Sequence, residues 1–115
     1  MQDFKKLKAE NPTQQWKEYM PLFARLFMSK GINDVNRVLT TFINDLENLK
    51  GNSSKEEVMT VVEKTIHKLN EIDNNREIIE TLEREDLCEF IHKGARLAGL
   101  QIGEREDITE AYRNW

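Results

Sequence analysis

Cys88, Glu89 and His92 bring a thiol, a carboxylate and an imidazole into one short stretch. Glu89-Phe90-Ile91-His92 spells E-x-x-H, a spacing that sets carboxylate and imidazole on one helical face for metal binding in four-helix bundles. Such a centre needs a second copy and two further glutamates, and His67 is preceded at i−3 by Lys64. Glu89 also falls about 190° from the middle of its helix's apolar stripe, on the solvent side. Cys88 and His92 stand at i, i+4, but structural zinc takes four ligands, and no other cysteine exists. As nucleophile and base, the two side chains leave one helix with no third group to orient the imidazole. No metal and no cofactor is therefore expected. An enzyme or phosphocarrier using an exposed helical His92 with Glu89 or Cys88 stands as the alternative reading.

The remaining chemical signals are weak or absent. Lysine and glycine at the third and fourth positions after a histidine would mark a phosphotransfer domain. Ala95 and Arg96 follow His92 there, and Asn70 and Glu71 follow His67. The glycines are scattered, and neither G-x-G-x-x-G nor G-x-x-x-x-G-K-[ST] occurs to cradle a phosphate. Trp16, Tyr19, Phe23 and Phe27 lie at helical spacing, and Tyr112 and Trp115 close the sequence. Large aromatics beside a proline and at a terminus are suited to grip a partner helix. Trp16, Tyr19, Phe23, Tyr112 and Trp115 are the candidate partner-binding residues.

Charge divides unevenly. Residues 1–50 hold eight Lys/Arg against six Asp/Glu, and residues 51–115 hold nine against fifteen, for a net charge of −4. Only Lys5, Lys6 and Lys8 concentrate positive charge, so the basic stripe of a nucleic-acid binder is missing. No apolar run approaches the ~20 residues that span a bilayer, and the first residues are too polar for a secretory signal. With one cysteine no internal disulfide framework is available. A soluble, acidic, cytoplasmic protein with a protein partner, including itself as a homodimer, and with neither nucleic acid nor membrane, is expected.

The elements that would position these groups are helical throughout. Val35, Val38, Leu39, Phe42, Ile43, Leu46 and Leu49 form one stripe at i, i+3, i+4, i+7. Val58, Val61, Val62, Thr65, Ile66, Leu69 and Ile72 repeat it 23 residues later, with Thr65 opposite Phe42 as the one polar exception. The link Gly51-Asn52-Ser53 is short, so the pair reads as an antiparallel helical hairpin. Asn33 or Asp34 is expected to cap the first helix, and Ser53 or Ser54 with Glu56 or Glu57 to box the second. Ahead of the hairpin, residues 13–30 read as one helix kinked at Pro21 and closed by Gly31. Residues 3–10 read as a short helix.

Later in the chain, Ile78, Ile79 and Leu82 share one face. Leu87, Phe90, Ile91, Gly94, Ala95 and Ala98 share another, so a break is expected near the charged run Glu83–Asp86. Gly94 reads as a close helix contact and Gly99 as a helix stop. Ile108, Tyr112 and Trp115 at i, i+4, i+7 predict a final two-turn helix, too short to stand alone. One domain over 1–115 is expected: an all-α antiparallel bundle of four main helices with short flanking N- and C-terminal helices. The best functional reading is a small non-enzymatic protein–protein interaction or regulatory module.

Overall fold

A computed structural model describes residues 2–19, 21–49, 54–76 and 79–115, and the side chains at 2–3, 22–28 and 76 lie outside that description. The described chain is all-α: α1 (Gln2–Ala9), α2 (Pro12–Tyr19), α3 (Leu22–Asn48), α4 (Lys55–Arg76) and α5 (Thr81–Leu97).

The hairpin forms as its periodicity requires. Val35, Leu39, Phe42, Ile43 and Leu46 of α3 are buried with Val58, Val62, Ile66 and Leu69 of α4, and Asp45 meets Lys64 at 3.7 Å across the pair. Thr65, the polar exception, is buried but returns its hydroxyl to the Val61 carbonyl one turn back at 2.8 Å. No unsatisfied hydroxyl therefore enters the core. Of the two overlapping capping boxes, the Ser54/Glu57 register is formed: Ser54 N–H donates to Glu57 Oε1 at 3.0 Å and Glu57 N–H to Ser54 Oγ at 3.2 Å. The alternative cap at Ser53 and the rest of the link Gly51-Asn52-Ser53 fall outside the described residues.

Three expected boundaries move. The kinked helix over 13–30 is instead two helices, because Pro21 holds φ −57° and ψ 150°, an extended conformation that starts α3 afresh. α3 then runs through Gly31 without stopping there. A mid-helix glycine costs about 1 kcal/mol against alanine, but Ile32 and Val35 just beyond it are fully buried, and that packing outweighs the penalty. Nor do Asn33 and Asp34 cap a helix. Asn33 accepts from Lys17 Nζ at 2.6 Å on the returning α2, and Asp34 pairs with Arg37.

α5 is likewise unbroken across Glu83–Asp86. Its start lies at Glu80, whose backbone N–H donates to Glu83 Oε1 at 3.1 Å. Asp86 and Glu89 therefore sit mid-helix. Ile79 is buried before the helix begins and Leu82 is exposed within it, while Ile78 lies outside the described residues. The apparent register conflict marks the helix start rather than a break.

Asn11 opens α2 ahead of Pro12, a proline suited to the first helical position; its Oδ1 accepts from Thr13 N–H at 3.0 Å. α1 covers the bundle with Phe4 and Leu7, packing against α3 and α5. Gly94 is the tight spot of the core: a Cβ there would stand 2.6 Å from Phe42 Cε2, so only glycine lets α5 approach α3 this closely. Gly99 ends α5 at φ +103°, with Gly99 N–H on Arg96 O at 2.9 Å and Leu100 N–H on Ala95 O at 3.0 Å. The final two-turn helix does not form. Residues 98–115 make a strap of successive turns that docks on α4 and α5 through polar contacts and buries Leu100, Ile108 and Trp115 in the core.

Candidate interaction face and polar cluster

The five candidate aromatics separate into two groups and a remainder. Trp16 is 1% exposed, in the core rather than on a surface, and its indole Nε1–H donates to Asp86 Oδ2 at 2.8 Å. One turn on, Tyr19 O–H donates to Glu83 Oε2 at 2.8 Å while its ring stays 48% exposed. Residues 16 and 19 of α2 thus meet 86 and 83 of α5 as two rungs running antiparallel. Glu83 spends one oxygen on the start of α5 and the other on Tyr19. Burial, then the neighbouring Glu83 carboxylate, pushes the Tyr19 phenol well above its usual pKa.

Tyr112 and Trp115 sit on the strap instead. Tyr112 meets His67 of α4 edge-on at 6.2 Å, and Trp115 is buried beneath the Arg113 guanidinium, 5.8 Å from its ring centre. The side chain of Phe23 lies outside the described residues.

The thiol, carboxylate and imidazole do not converge either. His92, expected to be exposed, keeps only 14% of its side-chain surface because the strap covers it. Its Nδ1 is 2.7 Å from Cys88 O and its Nε2 accepts the Ile108 backbone N–H at 3.1 Å. That pairing uses both ring nitrogens, Nδ1 as donor within α5 and Nε2 as acceptor from the strap. Cys88 turns its sulfur to the Thr109 hydroxyl at 3.3 Å, and burial pushes the thiol pKa up, only partly offset by that hydrogen bond. A raised thiol is a poor nucleophile. Glu89 lies on the outer face with Lys93 at 3.5 Å. Among the described residues, no group of three or more His, Cys, Asp or Glu could hold a metal ion.

What this cluster does is fasten the strap. Asp107 accepts from Thr109 N–H at 2.9 Å, from the Thr109 hydroxyl, and from Arg113 Nη2 at 3.1 Å. Burial works against its charge, but the Thr109 hydrogen bonds and Arg113 hold its carboxyl below the usual range. Asn70 of α4 adds two bonds, Nδ2 donating to Tyr112 O at 2.8 Å and Oδ1 accepting from Asn114 N–H at 3.1 Å. Comparison with protein-family models, curated proteins and solved structures finds no match to this chain.

The outer face of α5 is the remaining feature. Leu82, Glu85, Glu89, Lys93, Arg96 and Leu97 are exposed along its full length, and Asp86 is half-exposed among them. Taken at 100° per residue, these positions span about 120° of arc. The three large hydrophobic side chains exposed among the described residues are Tyr19, Leu82 at 63% and Leu97 at 36%. Tyr19 and Leu82 lie at the first turn of α5 and Leu97 at its last. Beside Leu97, Lys6 and Leu7 of α1 complete a groove of about 440 Å³ with Lys93 and Arg96. Sequence reasoning passed over Leu97 and put Leu82 on an inward face. The available signal was that both fall in phase with Asp86, Glu89 and Lys93, opposite Leu87, Ile91 and Ala98.

Proposed function

We propose that this chain is a non-enzymatic protein–protein interaction module whose docking face is the outer side of α5 with the adjoining edges of α1 and α2. The observation that carries this reading is that the large exposed hydrophobics among the described residues, Tyr19, Leu82 and Leu97, lie at the two ends of one face with charge of both signs between them. Apolar anchors spaced along one face of a helix are how helix-in-groove recognition is read, and tyrosine is among the residue types enriched at interface centres. His92, Cys88 and Asp107 have a sufficient role in holding the strap, and that role accounts for their burial and bonding.

The test compares wild type with Leu82→Glu and Leu97→Glu as immobilised baits in lysate of the native host. Both variants are expected to keep the helical signal of the wild type and to lose its stoichiometric partner. A partner retained by both variants would sink the assignment of the face. A host phenotype abolished by His92→Gln in a folded, strap-bound protein would favour chemistry at His92 instead.

A further inference from the structure

The outer face of α5 has an order along its length that a generic docking surface does not need. Its first half is acidic, with Glu85, Asp86 and Glu89, and its second half basic, with Lys93 and Arg96. The exposed apolar groups stand at the two ends, Leu82 with Tyr19 at one and Leu97 at the other. Leu82 and Leu97 are separated by about 22 Å along the axis. Reversed end for end, this pattern is its own complement.

Resting on the docking face just described, we propose that the face takes a second copy of this chain, α5 against α5 and antiparallel. The two-fold axis passes beside Glu89 and Phe90, the midpoint between Leu82 and Leu97. The operation keeps each side of the helix on its own side. Leu82 of one copy then faces Leu97 of the other, Asp86 faces Lys93, and Glu85 comes within one turn of Arg96. Tyr19 and Leu82 also receive the apolar stem of Lys6, which lies beside Leu97 in the α1–α5 groove. One symmetry operation thus covers all three exposed hydrophobics and pairs acid with base on either side of the axis; at the axis the two Glu89 carboxylates approach each other, each offset by Lys93 of its own copy at 3.5 Å. That is the self-complementarity an isologous interface requires.

Two features of the surroundings favour self-pairing. α1, which borders the basic half, adds the exposed Lys5 and Lys6, so the positive end is broader than α5 alone. Within each copy Lys93 reaches both Glu10 at 3.6 Å and Glu89 at 3.5 Å, and this ties down the charges nearest the axis. Crossing near +20°, the usual angle for antiparallel bundle helices, keeps the seam in register over four turns. The interface is at the small end of those that persist. The dimer is accordingly reversible and weakens with salt.

Sedimentation equilibrium of the whole chain across a hundredfold range of concentration, at low and at high salt, is the test. The wild type is expected to move from monomer toward dimer as concentration rises, with the transition displaced upward by salt. Glu85→Lys with Glu89→Lys makes the face predominantly basic, with Asp86 the one acid left, and Lys93→Glu with Arg96→Glu makes it acidic. Each double variant alone is expected to lose at least tenfold in self-affinity. An equimolar mixture of the two is expected to recover a mixed dimer. A wild type that stays monomeric throughout, or a dimer unaffected by both reversals, overturns the proposal. The wider reading has its own readout: a monomeric wild type whose host partner is lost with Leu82→Glu leaves the docking face standing with a different occupant. A monomer whose partner survives that substitution removes both.

Discussion

The α3–α4 hairpin and the strap over residues 98–115 share one core but balance packing and directed bonding differently. The hairpin is held by apolar side chains repeating at helical spacing, and almost any one of them could be exchanged for another of similar volume. The strap has little regular structure; it adds Leu100, Ile108 and Trp115 to the core, and particular polar atoms fix its course: Asn70 twice, His92 once, and Asp107 to Thr109 and Arg113. The contrast teaches where tolerance to substitution lies. Packing by area degrades gradually, whereas a strap held by a handful of directed bonds comes loose one bond at a time.

The largest effect that would sharpen this contrast is expected in the hairpin. Phe42→Ala should cost about 3–5 kcal/mol in a urea titration, the range for a buried phenylalanine. Gly94→Ala should cost about 1–3 kcal/mol as an overpacked contact. Because its new methyl group meets the Phe42 ring, the double variant should be less destabilised than the sum. Strict additivity would mean the two residues do not touch.

Asn70→Ala should cost about 2 kcal/mol, two hydrogen bonds at about 1 kcal/mol each. Its signature should be faster amide hydrogen exchange confined to 108–115, with the hairpin amides unchanged. Exchange accelerated equally in α3 would mean that strap and hairpin are one cooperative unit.

A smaller effect should come from acid. The Asp107 carboxyl is held below its usual range in the folded chain. Its contribution is therefore present above the unfolded value near 3.9 and is lost as pH falls through the lower folded value. Strap amides should lose protection on acidification below about pH 4, and Asp107→Asn should remove that dependence while weakening the strap at neutral pH.

The smallest effect concerns the Tyr19 rung. Its phenol is raised in the folded state, so the bond to Glu83 is intact below the usual value near 10 and lost only as pH rises through the folded value. In absorbance titration, the difference between wild type and Tyr19→Phe should show one phenol ionising later than free tyrosine. Ionisation at the ordinary value would mean that the rung is not closed.

The legible part of the fold follows from this comparison. The paired stripes 23 residues apart, the Ser54/Glu57 box, the Gly94 contact and the Gly99 stop are local or periodic signals, and the structure has them. The start of α5 was missed because a glutamate serves as its N-cap, outside the usual Ser/Thr/Asp/Asn set. The continuity of α3 through Gly31 was missed because tertiary burial of Ile32 and Val35 overrode a local breaker. Of the site, the aromatics on α2 were legible as important residues, but not their partners. Trp16 to Asp86 spans 70 positions in sequence, and Asn70 to Asn114 spans 44. No periodicity encodes which acid an indole finds, or that an asparagine on a solvated flank will hold a distant backbone. The strap itself imitates a helix in its spacing of Ile108, Tyr112 and Trp115, but its backbone N–H groups at 108 and 114 are claimed by side chains of other elements.

The two tryptophans give the molecule a built-in pair of optical reporters. Trp16 donates its indole N–H to a carboxylate where α2 meets α5, whereas the buried indole N–H of Trp115, in the strap, meets no acceptor among the described residues. A carboxylate on the N–H of one indole and a guanidinium over the ring of the other put the two in different electrostatic surroundings. Loosening of the strap should therefore change the emission of Trp115, whereas Trp16 should follow the rung between α2 and α5.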